Sequence, residues 1–491
     1  MGRAPGKVGC GGYNTMRNEL PMTELPNATL EPRSFDELAV AQPADLVFGR
    51  APRPVRCGLA LELGAGHVVP EINFTLPPML IESGTWARVQ EIYAGILDGI
   101  LRRARELALP GLMVEFEHLP PMTAEPAWGA ALTELLKSRL VQAHAQWQLP
   151  CALRVTVVDL RDATRPPVRR SGPPWEQMLE SFQQCAARGA DVLSIESTGG
   201  KELHDVALTR GDLAGIVFAL GVLAPADMAW LWDRITEVAR GHAIIAAGDT
   251  ACGFANTAMQ LVGQKMLPDV LAAVVRAMAS VRSLVAYERG AVGPSKDCAY
   301  EGPILKAITG CPISMEGRSA TCAHLSPIGN IAGAAADLWS NESVPDVRLL
   351  SGPAPIASLE SLAYDCRLFN AALGRNHEIE LRDLHVESDA RWSAQAALMT
   401  PEATLALAEV IVAERTPYRR TLAAGRVAVR WLDEAHVAGA LTLAGRERSW
   451  LDRLRAAFDE LPEEPAALFG RIKARYGELF DLKAYDLEYI A

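Results

Sequence analysis

The chain has 491 residues and is 49% hydrophobic and 22% charged, which is ordinary for globular proteins, and its length allows one large barrel with an accessory region. Its formal net charge of −11, without a dense Lys/Arg cluster, excludes the nucleic-acid-binding class. The nine cysteines are spread singly along the chain, which favours reduced thiols in a cytoplasmic protein over a disulfide scaffold.

The first 44 residues are predicted to form a flexible N-terminal extension. They begin with a Gly-rich stretch that has no apolar core, so we expect no secretory signal. Terminal segments of this kind are often poorly ordered, and the folded part of the chain is therefore expected to begin at residue 45.

The stretch LALELGAGHVVPE, from Leu59 to Glu71, has the start of a cofactor-binding pattern. An apolar strand, an acidic residue and Gly-x-Gly are how many enzymes begin their S-adenosylmethionine loop. In such sites a helix follows the glycines directly and points its N-terminus at the ligand. Here Val68 replaces the third glycine, and prolines 70, 77 and 78 argue against a helix. We therefore expect no S-adenosylmethionine site.

Eight short apolar runs are each followed by Gly, Ser or Pro residues and then by a helical pattern. They cover residues 57–63, 111–118, 151–160, 191–197, 215–221, 242–249, 283–289 and 311–317. Their nearly continuous apolar character is expected of parallel strands that are covered on both faces. Eight strand–helix alternations predict an α/β protein with a (β/α)8 barrel over residues 45–340. An open doubly wound sheet is the alternative.

The most apolar stretch, residues 215–232, raises the question of a membrane span. Gly221, Pro225 and Asp227 interrupt it, so we predict a buried strand, a loop and the start of a helix, with no membrane association. Beyond residue 340 helical periodicity continues without strand runs. Residues 341–491 are therefore predicted to form a helical C-terminal region that packs on the barrel or on a second subunit, and we expect a homodimer.

Polar residues at three predicted strand ends suggest a metal site, because active sites of such barrels lie at the C-terminal ends of the strands. Glu196 follows the fourth run, and Cys252 and Cys298 follow the sixth and the seventh. Two thiolates and one carboxylate are good zinc ligands, and three protein ligands leave the open position of a catalytic site. Single cysteines are more often small buried hydrophobes, so spacing alone leaves both interpretations open.

Two residues are the first candidates for a general acid or base. Asp249 shares a strand end with Cys252, and His324 follows the eighth run. Glu117, His118 and Lys296 are weaker candidates by the same criterion of position. For each of these residues, a purely structural role in its loop is the alternative.

Six segments resemble the zinc-containing methanol:corrinoid methyltransferase family. They are VPEIN, LSIESTGGKE, AGDTACGFANTAM, RSLVAYERGAVGPSKDCAYE, KAITGCPISMEGRSATCAH and WSNESV, within a similarity from about residue 45 to about residue 374. The resemblance implies a (β/α)8 barrel with an added helical region. It also implies that zinc is held by one glutamate and two cysteines, which fall on Glu196, Cys252 and Cys298.

The activity that this resemblance implies is transfer of a methyl group from methanol, or a similar small donor, to the Co(I) corrinoid (cobalamin) of a partner protein. Two other functions stay open at this stage. A zinc hydrolase on the same barrel would use the open position to generate hydroxide and would need no partner. A non-catalytic docking partner of a corrinoid protein is the third possibility, and the intact set of three ligands argues against it.

Overall fold

A computed structural model describes the protein over residues 33–296, 298–318, 327–343, 348–349 and 352–490. The part of the predicted N-terminal extension that falls in these ranges packs on the rest of the protein. Val40 is 2% exposed, and its amide donates a hydrogen bond to the carbonyl oxygen of Ala307 at 3.0 Å. Residues 33–44 are therefore part of the folded structure.

An antiparallel hairpin of β1 (Arg50–Cys57) and β2 (Leu61–Ala65) forms the floor of the barrel. Leu59, in its turn, exchanges two backbone hydrogen bonds with Cys151, at 2.7 and 3.2 Å. Apolar side chains of the hairpin, such as Leu63, form a separate buried cluster with residues at the amino-terminal ends of the barrel strands, such as Val69 and Met113. The hairpin thus closes the barrel at that end.

Seven parallel strands form most of the barrel wall. They are β3 (Val69–Phe74), β4 (Leu112–Glu117), β5 (Cys151–Val158), β6 (Val192–Glu196), β7 (Ile245–Asp249), β8 (Ser314–Glu316) and β9 (Leu338–Ser343). Their spatial order is β7-β6-β5-β4-β3-β9-β8. Two further short strands, β10 (Arg348–Leu349) and β11 (Gly352–Pro353), pair with each other.

An extended segment, residues 292–296, closes the ring between β7 and β8. The amide of Gly293 donates to the carbonyl oxygen of Ala247 on β7 at 2.7 Å, and the amide of Ser314 on β8 donates to the carbonyl oxygen of Ser295 at 3.2 Å. This segment takes the place of an eighth strand. The predicted (β/α)8 barrel is confirmed.

Three of the eight predicted strand runs are wrong, although the predicted barrel is correct. Residues 57–63 span the hairpin turn, residues 215–221 lie in a helical stretch, and residues 283–289 are the end of a helix. A short apolar run in a fully buried helix has the same composition as a buried strand, so periodicity cannot separate the two. The barrel strands that the prediction missed are β3, residues 292–296 and β9.

The Gly-x-Gly stretch lies in the floor of the barrel. Gly64 is in β2, Gly66 adopts a positive φ of 106° in the turn that follows, and β3 begins at Val69. The next helix begins only at Trp86. In this described stretch a strand follows the glycines, where an S-adenosylmethionine loop would lead into a helix.

Helices surround the barrel and form the C-terminal region. In the barrel region they are α1 (Trp86–Glu106), α2 (Pro120–Ala124), α3 (Pro126–Trp147), α4 (Pro173–Ala187), α5 (Lys201–Thr209), α6 (Leu213–Phe218), α7 (Ala224–Gly241), α8 (Cys252–Gly263), α9 (Asp269–Glu288), α10 (Gly302–Thr309) and α11 (Gly329–Gly333). In the C-terminal region they are α12 (Ala354–Leu373), α13 (Glu378–Ala390), α14 (Ala394–Ala397), α15 (Pro401–Ala413), α16 (Pro417–Val437), α17 (Gly445–Asp459) and α18 (Pro465–Tyr476). Short 3-10 turns cover Pro43–Asp45, Leu482–Tyr485 and Glu488–Ile490.

Two helical stretches, Leu213–Gly241 and Asp269–Glu288, are long and apolar enough to cross a membrane, but 83% and 100% of their most apolar windows are buried inside the protein. The first replaces the predicted strand, loop and helix. It continues through Pro225, and a π-helical turn, Ala219–Leu223, directly precedes this part of the helix. The second, α9, packs closely on α16, where a Cβ atom on Gly425 would lie 3.0 Å from the Met278 sulfur.

Candidate metal centre

The side chains that face the barrel interior change from apolar at the floor to polar at the carboxyl ends of the strands. Arg154 on β5 reaches across β4 to Glu71 on β3, with an Nε–Oε1 distance of 2.7 Å, and donates to Ser194 on β6 at 2.9 Å. Ser314 on β8 donates to the same Glu71 at 3.0 Å. Two residues further along β6, the same face carries Glu196. Alternating polar residues therefore line the upper half of the barrel.

Glu196, Cys252 and Cys298 meet at this end of the barrel. Glu196 is the last residue of β6, Cys252 opens α8 directly after β7, and Cys298 follows the segment 292–296. One ligand atom from each of the three lies within 4.8 Å of the others. The structure therefore brings together the three side chains that the strand-end argument selected.

The geometry and the chemistry of this donor set fit zinc. In a tetrahedral site with Zn–S near 2.3 Å and Zn–O near 2.1 Å, sulfur and oxygen are separated by about 3.6 Å. The observed distance from Cys298 Sγ to Glu196 Oε1 is 3.8 Å. A bound cation would thus find thiolate and carboxylate atoms at nearly the required spacing.

Without a cation, the thiols of the cluster resist ionisation. The hydrogen bond from Cys298 lowers the pKa of Cys252, but burial and the charge of Glu196 outweigh it and raise that pKa to about 12. The hydrogen bond with Cys252, together with burial, raises the pKa of Cys298 well above its usual range. Burial also raises the pKa of Glu196. Metal ligands of these types bind as anions, so a cation would displace these protons.

Two polar side chains that the sequence reasoning missed hold the cysteine loops. Asn256, one helical turn after Cys252, donates its Nδ2 to the Cys252 sulfur at 2.8 Å. Glu301, on the loop of Cys298, accepts a hydrogen bond from the Ala251 amide at 2.7 Å. Glu301 thereby ties the two cysteine loops together. The i, i+4 spacing of Cys252 and Asn256 on a helix was the available signal in the sequence.

Lys296 is the positive charge beside the cluster. Its Nζ lies 3.0 Å from Glu196, 2.6 Å from Glu117 and 3.3 Å from Glu115. Burial would raise the pKa of Glu117, but Lys296 and the amide of Asn73 lower it overall. Lys296 thus holds the Glu196 carboxylate in place, and it contacts three acidic groups with a single charge.

Asp249, predicted as a general acid or base, is fully buried at the end of β7. Its two oxygens accept from the Ser197 amide and the Trp232 indole, both at 3.3 Å, and it lies 3.4 Å from Arg282. Burial raises its pKa. The structure therefore places Asp249 in the protein interior, in contact with the loop that follows Glu196.

The other predicted acid–base candidates lie in different surroundings. His324 lies outside the described residues. His118 is buried beside Thr123, whose Oγ1 is 3.0 Å from its Nδ1, and burial lowers its pKa to about 3. Glu342, which was not singled out, lies near the end of β9 with an exposed side chain, and partial loss of hydration with the charge of Glu117 raises its pKa to about 7. The segment WSNESV contains this residue.

Comparisons with known proteins identify the family of this chain. The model of the family described as methanol-cobalamin methyltransferase B subunit matches residues 32–486. The methanol–corrinoid protein co-methyltransferase of Methanosarcina barkeri (strain Fusaro / DSM 804) is 38% identical over 437 residues, which are 88% of this chain and 94% of that protein. In the crystal structure of the methanol:cobalamin methyltransferase complex MtaBC from Methanosarcina barkeri, one chain matches with a TM-score of 0.89 at 36% identity, over 92% of this chain and 100% of that one. These matches confirm the resemblance, and the chain belongs to the methanol-cobalamin methyltransferase B subunit family.

Proposed function

We propose that this chain transfers the methyl group of methanol, or of a similar small donor, to the Co(I) corrinoid of a partner protein. The observation that carries the proposal is the cluster of Glu196, Cys252 and Cys298 at the carboxyl end of a barrel of this family. In the reaction the C–O bond of the donor breaks and a C–Co bond forms. Cobalt goes from Co(I) to Co(III), and the oxygen leaves as water after it takes up a proton.

Glu196, Cys252 and Cys298 would hold a zinc ion. When bound, zinc supplies Lewis acidity that eases the departure of the oxygen from the methyl carbon. The chain contributes orientation: Asn256 donates to the Cys252 sulfur, and Lys296 fixes the Glu196 carboxylate. The closed floor leaves only the carboxyl end of the barrel for the approach of a partner.

The proton for the leaving oxygen has two proposed sources. His324 is the candidate from the sequence. Glu342 is the candidate from the structure, because a carboxyl group with a pKa of about 7 holds a proton that it can give up near neutral pH. We assign Asp249 a positioning role instead, since it is fully buried and its oxygens accept from the Ser197 amide and the Trp232 indole.

The test is to mix the zinc-loaded protein with a reduced corrinoid protein and methanol. The visible spectrum of the corrinoid should change from Co(I) to methyl–Co(III), and the Cys252→Ala variant should show no change. Formation of methyl–cobalt from other methylated donors but not from methanol would keep the reaction class and change the substrate. No methyl–cobalt from any small donor, with hydrolysis of an ester or amide instead, would favour the zinc hydrolase.

Two further parts of the proposal concern assembly and location. We propose a homodimer, for which several exposed apolar side chains of the C-terminal region, such as Leu384 on α13 and Trp392 in the turn after it, offer contact area. Sedimentation at micromolar concentration tests it, and a monomer would contradict it. The free thiols of the described cysteines fit a reducing compartment, so we place the protein in the cytoplasm.

A further inference from the structure

The loop that follows Glu196, residues Ser197–Gly200, is held by side chains from distant parts of the chain. The Thr198 amide donates to Asp159 at 2.9 Å, and Arg169 donates to the Thr198 carbonyl oxygen at 2.9 Å. Gly199 lies so close to Asp227 that an added Cβ would be 2.3 Å from the Asp227 carboxylate. The position of Glu196 therefore depends on a tightly packed loop with no room for a side chain at residue 199.

Tyr485, near the C-terminus, is part of the same packing. Its hydroxyl is buried, and it accepts hydrogen bonds from the Gly200 amide at 3.0 Å and from Arg169 Nε at 3.2 Å. The same hydroxyl donates to Glu202, on the first turn of α5. A tyrosine hydroxyl has one proton and two acceptor sites, so all of its hydrogen-bonding capacity is used here.

The segment that carries Tyr485 is itself fixed to the barrel. Arg170 donates to the Tyr485 carbonyl oxygen at 2.8 Å and forms an ion pair with Asp486. Arg169 also pairs with Glu202 at 2.8 Å, and neither side chain of that pair is exposed. The C-terminal segment thus joins a buried ionic network that ends on the loop after Glu196.

We infer that Tyr485 is a positioning residue for the metal centre: its hydroxyl fixes residues 197–200, and thereby the orientation of the Glu196 carboxylate. Removing the hydroxyl leaves the Gly200 amide, Arg169 Nε and one Glu202 oxygen without this partner inside the protein, and a loop with an unpaired buried amide must shift or open. This inference rests on the proposed function, because it takes Glu196 as a ligand. Groups that hydrogen-bond directly to metal ligands typically change metal affinity by 10- to 100-fold, and Tyr485 acts one step further out, through the loop backbone.

The test compares Tyr485→Phe with two matched variants in the full-length protein. Tyr418→Phe removes another buried hydroxyl, which donates to the Pro462 carbonyl oxygen at 2.8 Å, away from the cluster. Tyr489→Phe removes an exposed hydroxyl on a side chain that is 81% exposed. Zinc affinity is measured by competition with a chelator, and hydrogen exchange is followed in peptides that contain residues 197–204.

For Tyr485→Phe we expect a rise of about tenfold in the zinc dissociation constant, at the low end of the range for such groups. We also expect faster exchange in the peptides of residues 197–204. Tyr418→Phe should lower the melting temperature without either change, and Tyr489→Phe should change nothing. Wild-type affinity and exchange in Tyr485→Phe would overturn the inference.

Two outcomes of this experiment would change what it tests. If the wild-type protein binds no zinc, the proposed function fails, and the exchange comparison still decides whether Tyr485 holds the loop. If Tyr485→Phe does not fold, Glu202→Gln replaces it, because Glu202 accepts from the Tyr485 hydroxyl and pairs with Arg169, and neither side chain of that pair is exposed. Unchanged exchange of residues 197–204 in Glu202→Gln would then count against the inference.

Discussion

Replacing Asp249 by asparagine separates the two roles that the sequence leaves open for this residue. Its carboxylate lies 3.4 Å from Arg282, and neither side chain is exposed. At an effective dielectric constant of about 20, unit charges at that distance attract by about 5 kcal/mol. Breaking a buried pair by removing one partner costs about 3 to 5 kcal/mol. The other described acceptors of Arg282, on Ser197, Met228, Thr250 and Ser283, are neutral, so we expect a loss of about 4 kcal/mol in the free energy of unfolding.

The assay is urea unfolding followed by circular dichroism, with Asp233→Asn as the matched control. Asp233 and Arg289 are also 3.4 Å apart, but their side chains are 34% and 28% exposed, so we expect a loss below about 1 kcal/mol. With an unfolding entropy of about 2.1 cal/mol/K per residue over the 491 residues, a loss of 4 kcal/mol lowers the melting temperature by about 4 °C. A loss no larger than that of the control would refute the reasoning.

The activity of the same variant distinguishes positioning from acid–base catalysis. If Asp249 positions the loop after Glu196, the remaining activity keeps the wild-type pH profile and falls together with zinc affinity. If Asp249 transfers the proton, zinc affinity stays at the wild-type level and one limb of the pH profile disappears.

Three other predictions test the site and the fold. Cys298→Ala should lose most of the zinc, of which the wild type should contain about one ion per chain; equal zinc in both proteins by metal analysis would contradict the ligand assignment. Glu342→Gln should lower the methyl-transfer rate by about 100-fold or more and remove a fall in wild-type activity above about pH 7, since only the protonated acid can donate; an unchanged pH profile would assign the proton to another group. The pKa of His118 is lowered from 6.5 to about 3 in the folded state. Its contribution to the free energy of unfolding is therefore fully present above pH 6.5 and is lost as the pH falls towards 3. Between pH 7.5 and 5.5 this loss is about 1.4 kcal/mol in the free energy of unfolding measured with urea. His118→Asn should remove this part of the pH dependence, and an equal decrease in the variant would contradict the prediction.

The sequence predicts those barrel strands for which both the apolar composition and the position between helical patterns indicate a buried strand. The wall strands β4, β5, β6, β7 and β8 were found because they are short apolar runs between helical patterns. The end of α9 was predicted as a strand because the helix is buried on all sides, which removes the amphipathic periodicity of a helix. β3 was missed for the opposite reason, since Glu71 and Asn73 face the polar interior and interrupt its apolar run.

The meeting of Glu196 and Cys252 could be predicted because the parallel direction of the strands brings their carboxyl ends to one edge. Cys298 was selected through the run 283–289, which is the end of a helix, and the segment 292–296 brings it to the same edge instead. The groups that hold these residues could not be found in this way. Glu301 and Tyr485 act through contacts with residues 50 and 285 positions away, and no local pattern encodes such pairs. A period-two alternation of polar residues, as in Ser194 and Glu196, is the signal that would have identified the strands lining the site.

The balance of charge at the carboxyl end of the barrel also favours a bound cation. Lys296 contacts three carboxylates, from Glu115, Glu117 and Glu196, so its single charge cannot neutralise them all. Some of these groups are therefore more readily protonated than usual. Burial raises the pKa of Glu115 to about 7, and the pKa of Cys252 is raised to about 12. A divalent cation at the thiols would supply the missing positive charge where two cysteines and a glutamate already face each other. Glu196, Cys252 and Cys298 must lose protons to bind a cation. The buried acidic surroundings make this ionisation unfavourable without a metal, and they favour a cation that binds thiolates.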